Sequence, residues 1–368
     1  MLAINVSGMV SGFCYSVLKV ETYSDCYFDC QYCYGRWYRV SESVEPQFKA
    51  VREFAKVAFK LSKLKLPIIP FRMSTLIDPF QPAEKKYRLS LKVMRIALKN
   101  EIPLIISTKS TLFTENSWFK LLTRLAEKKL TLLQITITTL DEKLSKILEP
   151  RAPAPSNRIE VIEKAVSENV SVILRWQPLI PGIAEHETRE ILETAKSLKV
   201  KHVILEFLRC QRNELNFYRD IAYSEEPYQI KWEPYSLSRE NVNIIRPPIA
   251  YRDKTLKEIH RTAESIGVKI ALCKEELLQY ETTENCCGIN YLKNTVLRLT
   301  LREAWKLYRS KRTQVTYENL LKEYGNNEKY LTPEKLKDYP RAIRRPLLHH
   351  EKTLANLLST RWKLITET

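Results

Sequence analysis

Through the first 210 residues, apolar runs of six to eight residues alternate with amphipathic stretches. The runs fall at 17–22, 68–73, 102–107, 131–138, 170–176 and 201–207 and read as strands. Between them, residues 47–64, 84–99, 115–128, 156–169 and 186–198 repeat apolar positions at the helical period. In the first of these Phe48, Val51, Phe54, Ala55, Ala58, Phe59 and Leu61 recur near every ~3.6 residues with Lys and Arg between, the pattern of a helix with one buried stripe. Six strands separated by helices predict an α/β fold with a parallel sheet and right-handed crossovers. Past residue 210 the alternation stops. Residues 223–250 are rich in Pro and Tyr and read as an irregular cover. A helix over 253–266 and a strand over 267–272 follow, and from 297 onward the pattern is helical, polar and basic. The expected division is therefore a core at 1–222, a cover region at 223–300 and a basic helical extension at 301–368.

Composition narrows the function classes. Hydrophobic residues make up 44% of the 368 positions and aromatics 10%, enough for a real core and too many for a disordered polymer. Only seven glycines are present, so a glycine-rich phosphate loop is not available. No apolar run reaches the roughly 18 residues of a membrane span, and the first residues lack the order of a secretion signal. A soluble, cytoplasmic protein is expected. Scarce Gly with abundant Lys, Glu and Ile fits a heat-adapted chain.

The formal charge of +17 favours polyanions, nucleic acid first and anionic membrane second, or simply a basic chain with no such partner. Residues 301–368 carry net +7, with Trp305, Tyr308, Tyr317 and Trp362 among the cations and a cluster at Arg341, Arg344 and Arg345. That mixture suits phosphates with stacked bases, and equally the solvated face of an amphipathic helix.

Eight cysteines stand at 14, 26, 30, 33, 210, 273, 286 and 287. Cys26, Cys30 and Cys33 have the spacing C-x3-C-x2-C on a loop after the first strand, where three sulfurs can turn toward one centre. Zinc would need a fourth ligand, for which Cys14 is available. A cubane iron–sulfur cluster held by three thiolates would leave one iron open. Cys273, Cys286 and Cys287 are either a second cluster site or buried thiols, since adjacent cysteines point apart in most backbones. Cys14 and Cys210 otherwise read as free. His349, His350 and the other three histidines lack ligand spacing and are expected in solvent.

With Tyr32 just before the last cysteine, this loop resembles the radical S-adenosylmethionine (SAM) enzymes, and its wider context resembles their spore photoproduct lyase-like branch. Four further stretches resemble that branch in order: residues 73–90 (MSTLIDPFQPAEKKYRLS), 105–110 (IISTKS), 135–165 with their Glu-Pro-Arg-Ala-Pro run, and 178–182 (PLIPG). The resemblance implies an open, partial (β/α)6 TIM-like barrel with a mainly helical C-terminal extension. It implies a [4Fe-4S] cluster on Cys26, Cys30 and Cys33, SAM on the open iron, and a one-electron donor such as ferredoxin or flavodoxin. By the same resemblance Tyr32 lies beside the adenine, Ser74 and Thr75 bind the methionyl amine, Lys109 meets the carboxylate, and Thr136 or Thr138 meets the ribose. Each has a plainer reading: packing for Tyr32, a surface position for Lys109, strand propensity for the threonines. Asp78 is either a ligand contact or a turn cap, and Arg158 and Arg175 are candidates to pair with Glu149 or the SAM carboxylate. Met73 stands where spore photoproduct lyase has a cysteine hydrogen donor, and a thioether has no S–H to give. The implied reaction is hydrogen abstraction by a 5′-deoxyadenosyl radical from a nucleic-acid base, for repair or modification. The alternatives are a peptide or small metabolite as substrate, or a non-catalytic structural metal-cluster protein.

Overall fold

The computed structural model describes residues 2–4, 12–38, 43–235 and 243–361; Trp362 lies outside them. Its central sheet is an open half-barrel of seven parallel strands lying side by side in chain order. They are β1 (Leu18–Lys19), β2 (Phe71–Met73), β3 (Leu104–Thr108), β4 (Thr131–Thr136), β5 (Val172–Leu179), β6 (Val203–Phe207) and β7 (Ile270–Leu272). Six strands were expected in the core. The seventh comes from the region read as cover: β7 pairs with β6 in the register Ile270↔Val203. A strand was expected at 267–272, but as part of the cover and not as a member of the sheet. The helix Ile249–Ile266 before it packs beside the helix Ala184–Ser197 and completes one more crossover.

The helices Phe48–Leu64, Asn116–Glu127, Pro155–Ser167 and Ala184–Ser197 match the periodic segments to within two residues. The stretch 84–99 divides into Ala83–Tyr87 and Leu89–Asn100. The break is made by Glu84, whose buried carboxylate accepts from the first-turn amides of Ser90 and Leu91 (both 2.9 Å) and from Trp118 Nε1 (2.9 Å). A carboxylate at a helix start satisfies otherwise unpaired N–H groups.

Side chains alternate across the strands. One face (Leu104, Ile106, Leu133, Ile135, Val172, Leu174, Val203, Leu205) packs against the helices. The other faces the barrel interior and changes along the strands. Its lower layer is apolar, with Ile105, Leu132, Ile173, Ile204 and Ala271. One pleat further on stand Ser107, Gln134, Arg175 and Glu206, beside Arg72 of β2.

The C-terminal extension covers that apolar layer. Leu301, Ala304 and Leu307 of the helix Leu301–Lys311, and Leu354, Leu357 and Leu358 of the helix Arg341–Thr360, share one core with it. Trp305, Tyr308 and Tyr317 are half-buried against the same core, so part of each ring is committed to packing. His202 and His350 are each 1% exposed, against the expectation of solvated histidines. A small antiparallel sheet of Cys210–Gln211, Ile244–Arg246 and Glu233–Pro234 lies outside the barrel. Arg246 and Arg252 tie it to Glu275 and Glu276 just past β7. No helix among the described residues is long and apolar enough to cross a membrane.

Candidate active site

A cavity opens at the C-terminal ends of the strands, the position from which barrels of this kind recruit functional residues. It holds about 990 Å³ of non-protein space, part of it open to solvent. Cys26, Cys30 and Cys33 line one wall, on the loop after β1. Burial and nearby Asp78 raise the Cys26 thiol to about 12. Burial also raises Cys30, while Lys109 acts in the opposite sense. Thiols of this kind ionise when a metal centre takes them as ligands.

Of the other expected residues, Tyr32, Ser74, Thr75, Lys109 and Thr136 line the same cavity; Thr138 does not. Thr138 lies two residues beyond β4 and belongs to a buried bracket behind the wall. Its hydroxyl donates to Glu149 Oε1 (3.0 Å), which also accepts from the Tyr32 hydroxyl. Arg158 closes the bracket, ion-paired with Glu149 while donating to the carbonyls of Thr136 (3.0 Å) and Pro153 (2.8 Å). Burial opposes the Glu149 charge, but Arg158 and Lys109 hold the carboxyl below its usual range. Lys109 Nζ sits 5.3 Å from the Tyr32 ring centre. Burial opposes its charge too, yet Cys30 and Glu149 hold it above the ordinary lysine range.

Ser74 and Thr75 are committed differently from the expectation. Ser74 Oγ donates to the Val20 carbonyl (3.2 Å), and both the amide and the hydroxyl of Thr75 donate to Glu21 Oε1. Toward the cavity these hydroxyls therefore present acceptor lone pairs beside a carboxylate. Asp78 acts as a brace: it accepts from the amides of Phe80 (2.9 Å) and Lys109 (2.7 Å) and from Thr108 Oγ1 (2.8 Å). Arg175 donates to Gln134 Oε1 (2.8 Å) rather than to a carboxylate. Met73 is fully buried in the core between sheet and helices.

Sequence reasoning missed Glu21, Arg72, Gln134, Glu206 and Arg209. Arg72 also donates to Gln134 Oε1 (2.8 Å), so two guanidinium groups converge on one neutral oxygen. Glu206 pairs with Arg209 (2.6 Å) and Lys274 (3.4 Å). A signal existed, because strands of a buried parallel sheet are near-continuously apolar. Arg72, Gln134, Arg175 and Glu206 each interrupt such a run.

The donor set fits a cluster better than one ion. Among the described residues no three His, Cys, Asp or Glu side chains are placed to hold a single metal ion. Cys14, the candidate fourth zinc ligand, is not with the triad; it lines a second cavity, its thiol donating to the Ser16 carbonyl (3.4 Å). Three thiols on one loop, with no fourth cysteine among the described residues lining the same cavity, are the ligand set of a cluster that leaves one metal corner open.

Residues 20–199 match the family model of the Radical SAM superfamily. An uncharacterized protein of Acidianus two-tailed virus is 36% identical over 123 residues, 33% of this chain and 38% of its own length. An uncharacterized protein of Methanocaldococcus jannaschii is 24% identical over 173 residues, 46% of this chain and 62% of its own. The chain thus spans less than two thirds of either curated relative. Among solved structures, a spore photoproduct lyase variant with bound AdoMet and dinucleoside spore photoproduct superposes with a TM-score of 0.54 at 13% identity, over 70% of this chain and 76% of that one. That likeness shows a shared fold. Residues 20–199, the segment that carries the cysteine loop and most of the cavity wall, therefore form a Radical SAM superfamily domain.

Proposed function

We propose that the chain is a radical SAM enzyme whose substrate carries a phosphate, with nucleic acid as the first class. The observation that carries this reading is the cysteine triad opening onto the cavity at the mouth of the barrel, within the family segment. A [4Fe-4S] cluster on Cys26, Cys30 and Cys33 would, when bound, supply the electron that breaks the sulfur–C5′ bond of SAM and frees a deoxyadenosyl radical to take hydrogen from the substrate. The protein's part is to hold and orient. Glu21, with the lone pairs of Ser74 and Thr75, suits an ammonium. Lys109 offers a cation to a carboxylate, and Thr136 a hydroxyl to the ribose. Tyr32, pinned by Glu149, gives a fixed ring for the adenine. Arg175, shared with Arg72 on one neutral oxygen, leaves positive charge facing the cavity, which suits a phosphate. Met73, sealed in the core and without a thiol, takes no part, so the radical must be quenched by another donor. The electron would come from a one-electron donor such as ferredoxin or flavodoxin.

Anaerobic reconstitution with iron and sulfide, followed by dithionite and SAM, tests the reading. The wild type is expected to form 5′-deoxyadenosine and Cys30→Ala none; a fully loaded wild type that forms none overturns it. The substrate class is tested separately by DNA and RNA binding across salt concentrations. The extension floors the barrel, so the comparison is Arg341→Ala/Arg344→Ala/Arg345→Ala in the full chain and not a truncation. Binding that is absent or independent of salt rejects nucleic acid in favour of a peptide or small metabolite.

A further inference from the structure

We propose that Cys14, Cys273, Cys286 and Cys287 hold a second iron–sulfur cluster, separated from the first cavity by a wall that includes Arg72 and Tyr34. These four line a second cavity that shares those two residues, along with Arg175 and Arg209, with the first. Half of the chain's cysteines meet here, brought from three distant segments. The sulfurs of Cys286 and Cys287 are 3.8 Å apart, because a turn directs both to one side. Cys14, whose sulfur lies 3.4 Å from the Ser16 carbonyl, and Cys273 line the same cavity as this pair.

Each of the four is fixed through its backbone. Gln134 Nε2 lies 3.3 Å from the Cys287 carbonyl, His202 Nε2 lies 3.1 Å from that of Cys286, and Arg298 Nη1 lies 3.1 Å from that of Cys14. The Cys273 amide donates to Leu205 (2.8 Å). Gly288 seats the loop against the barrel floor at φ +71°, where a Cβ would meet Ile173 Cδ1 at 2.5 Å. Held ligands of this kind are what a metal centre requires.

Charge points the same way. Arg72 is 9% exposed, and its guanidinium reaches two neutral oxygens and, at 3.5 Å, the Cys287 sulfur. A buried cation needs a nearby anion, which metal-bound thiolates supply. The 3.8 Å between the Cys286 and Cys287 sulfurs is the edge of a tetrahedron about one metal with sulfurs at about 2.3 Å, so these two share one iron and Cys14 and Cys273 hold the other iron of a [2Fe–2S] core. With every ligand position held by protein, such a centre has no vacant iron for a substrate. It takes one electron from the donor protein and passes one to the triad's cluster, with no bond made or broken and no proton moved. Only the electron's destination rests on the function proposed above.

The test is iron and labile sulfide per full-length chain after anaerobic reconstitution, with EPR after dithionite. Wild type is expected to hold about six irons, Cys26→Ala/Cys30→Ala/Cys33→Ala about two and Cys286→Ser/Cys287→Ser about four. The triad variant should give a reduced-cluster signal that SAM does not change. About four irons in the wild type with none in the triad variant overturns the proposal, as does a single zinc, or a triad-variant signal that responds to SAM. Two complementary losses cannot both come from misfolding of one variant. Deoxyadenosine formation tests the triad alone, so failure here leaves the proposed reaction standing.

Discussion

Replacing Arg158 with Met would cut the support from behind the Tyr32 wall. Arg158 and Glu149 side chains are 0% and 1% exposed, so the change leaves a carboxylate buried without its main counter-charge. Removing one member of such a pair costs about 3–5 kcal/mol. The Tyr32 and Thr138 hydroxyls and nearby Lys109 remain to soften the loss, which places the electrostatic part near the lower end. The carbonyls of Thr136 and Pro153 lose their donors as well, at about 1 kcal/mol each. A destabilisation of about 4–5 kcal/mol at pH 8 is expected. Its pH dependence identifies the cause. In the wild type the Glu149 carboxyl is held below its unfolded value, so its stabilisation is present above that value and lost as pH falls through the folded one. In the variant, burial acts with one opposing cation fewer and raises the carboxyl; the native state then binds the proton more readily, and acid relieves the penalty. Anaerobic urea unfolding at pH 5.5 and pH 8 should show a smaller deficit at the lower pH. Adding Glu149→Gln should recover part of it at pH 8. A loss below about 1 kcal/mol, a deficit equal at both pH values, or a double variant no better than the single one would refute the reasoning.

Asp78→Asn turns an amide donor toward backbone N–H groups of Phe80 and Lys109, and should lower stability by about 1–3 kcal/mol in thermal melts; an unchanged melt removes the brace. Glu21→Gln keeps the shape and discards the charge beside Thr75, so KM for SAM should rise about tenfold with kcat little changed. An unaltered KM in the deoxyadenosine assay takes Glu21 out of the ammonium site. Gly288→Ala meets both a positive φ and the Ile173 side chain and should lose about 1–3 kcal/mol; an alanine variant as stable as wild type disproves the tight seat. His350, beside the Ile4 carbonyl and near Arg298, is lowered by burial to about 3. Its stabilisation is complete above about 6.5 and lost as pH falls toward 3, with a ceiling of about 5 kcal/mol. His350→Gln should flatten that part of the stability–pH curve, and identical slopes would contradict the assignment.

Chain pattern alone located all seven strands, because each falls on an apolar run, β7 on the run 267–272. What escaped was the pairing of β7 with β6 as a seventh strand of the sheet, since apolar runs do not state their neighbours. The triad was legible because a loop packs its three cysteines into eight consecutive positions. Long-range placement was not. Cys14 comes to Cys287 only because Arg298 and Arg302, far along the chain, bond the carbonyls of Cys14 and Phe13. Adjacent Cys286 and Cys287 were expected to diverge, and the turn before Gly288 reverses that. Thr138 shares the strand face of Thr136, as alternation predicts, but alternation does not say that Glu149 would capture its hydroxyl. Ser74 and Thr75 were read by the atoms they carry, while Val20 and Glu21 decide which of those atoms remain free.

The barrel interior shows how one sheet supports both a rigid floor and a charged mouth. Ile105, Leu132, Ile173 and Ile204 could not be left in water, and the extension's leucines bury them. Covering the floor makes it safe to place Gln134, Arg175 and Glu206 one pleat higher, with the Arg72 guanidinium reaching Gln134 from beside Ile105, where burial strengthens every charge interaction. The cysteine carriers at 14, 273 and 286–287 all sit at this seam between extension and barrel, stapled by Arg298 and Arg302. A polar seam of that kind would be unstable if its sulfurs were only small apolar fillers, since Arg72 would then face them as an uncompensated cation. The +17 of the whole chain and the cations inside the barrel are therefore separate features. Surface substitutions at Arg341, Arg344 and Arg345 should change polyanion binding and its salt dependence while leaving cluster content untouched. Arg72→Met should do the reverse, lowering iron content with no change in salt dependence. If each set of substitutions moved both readouts together, the division between surface steering and interior charge compensation would be wrong.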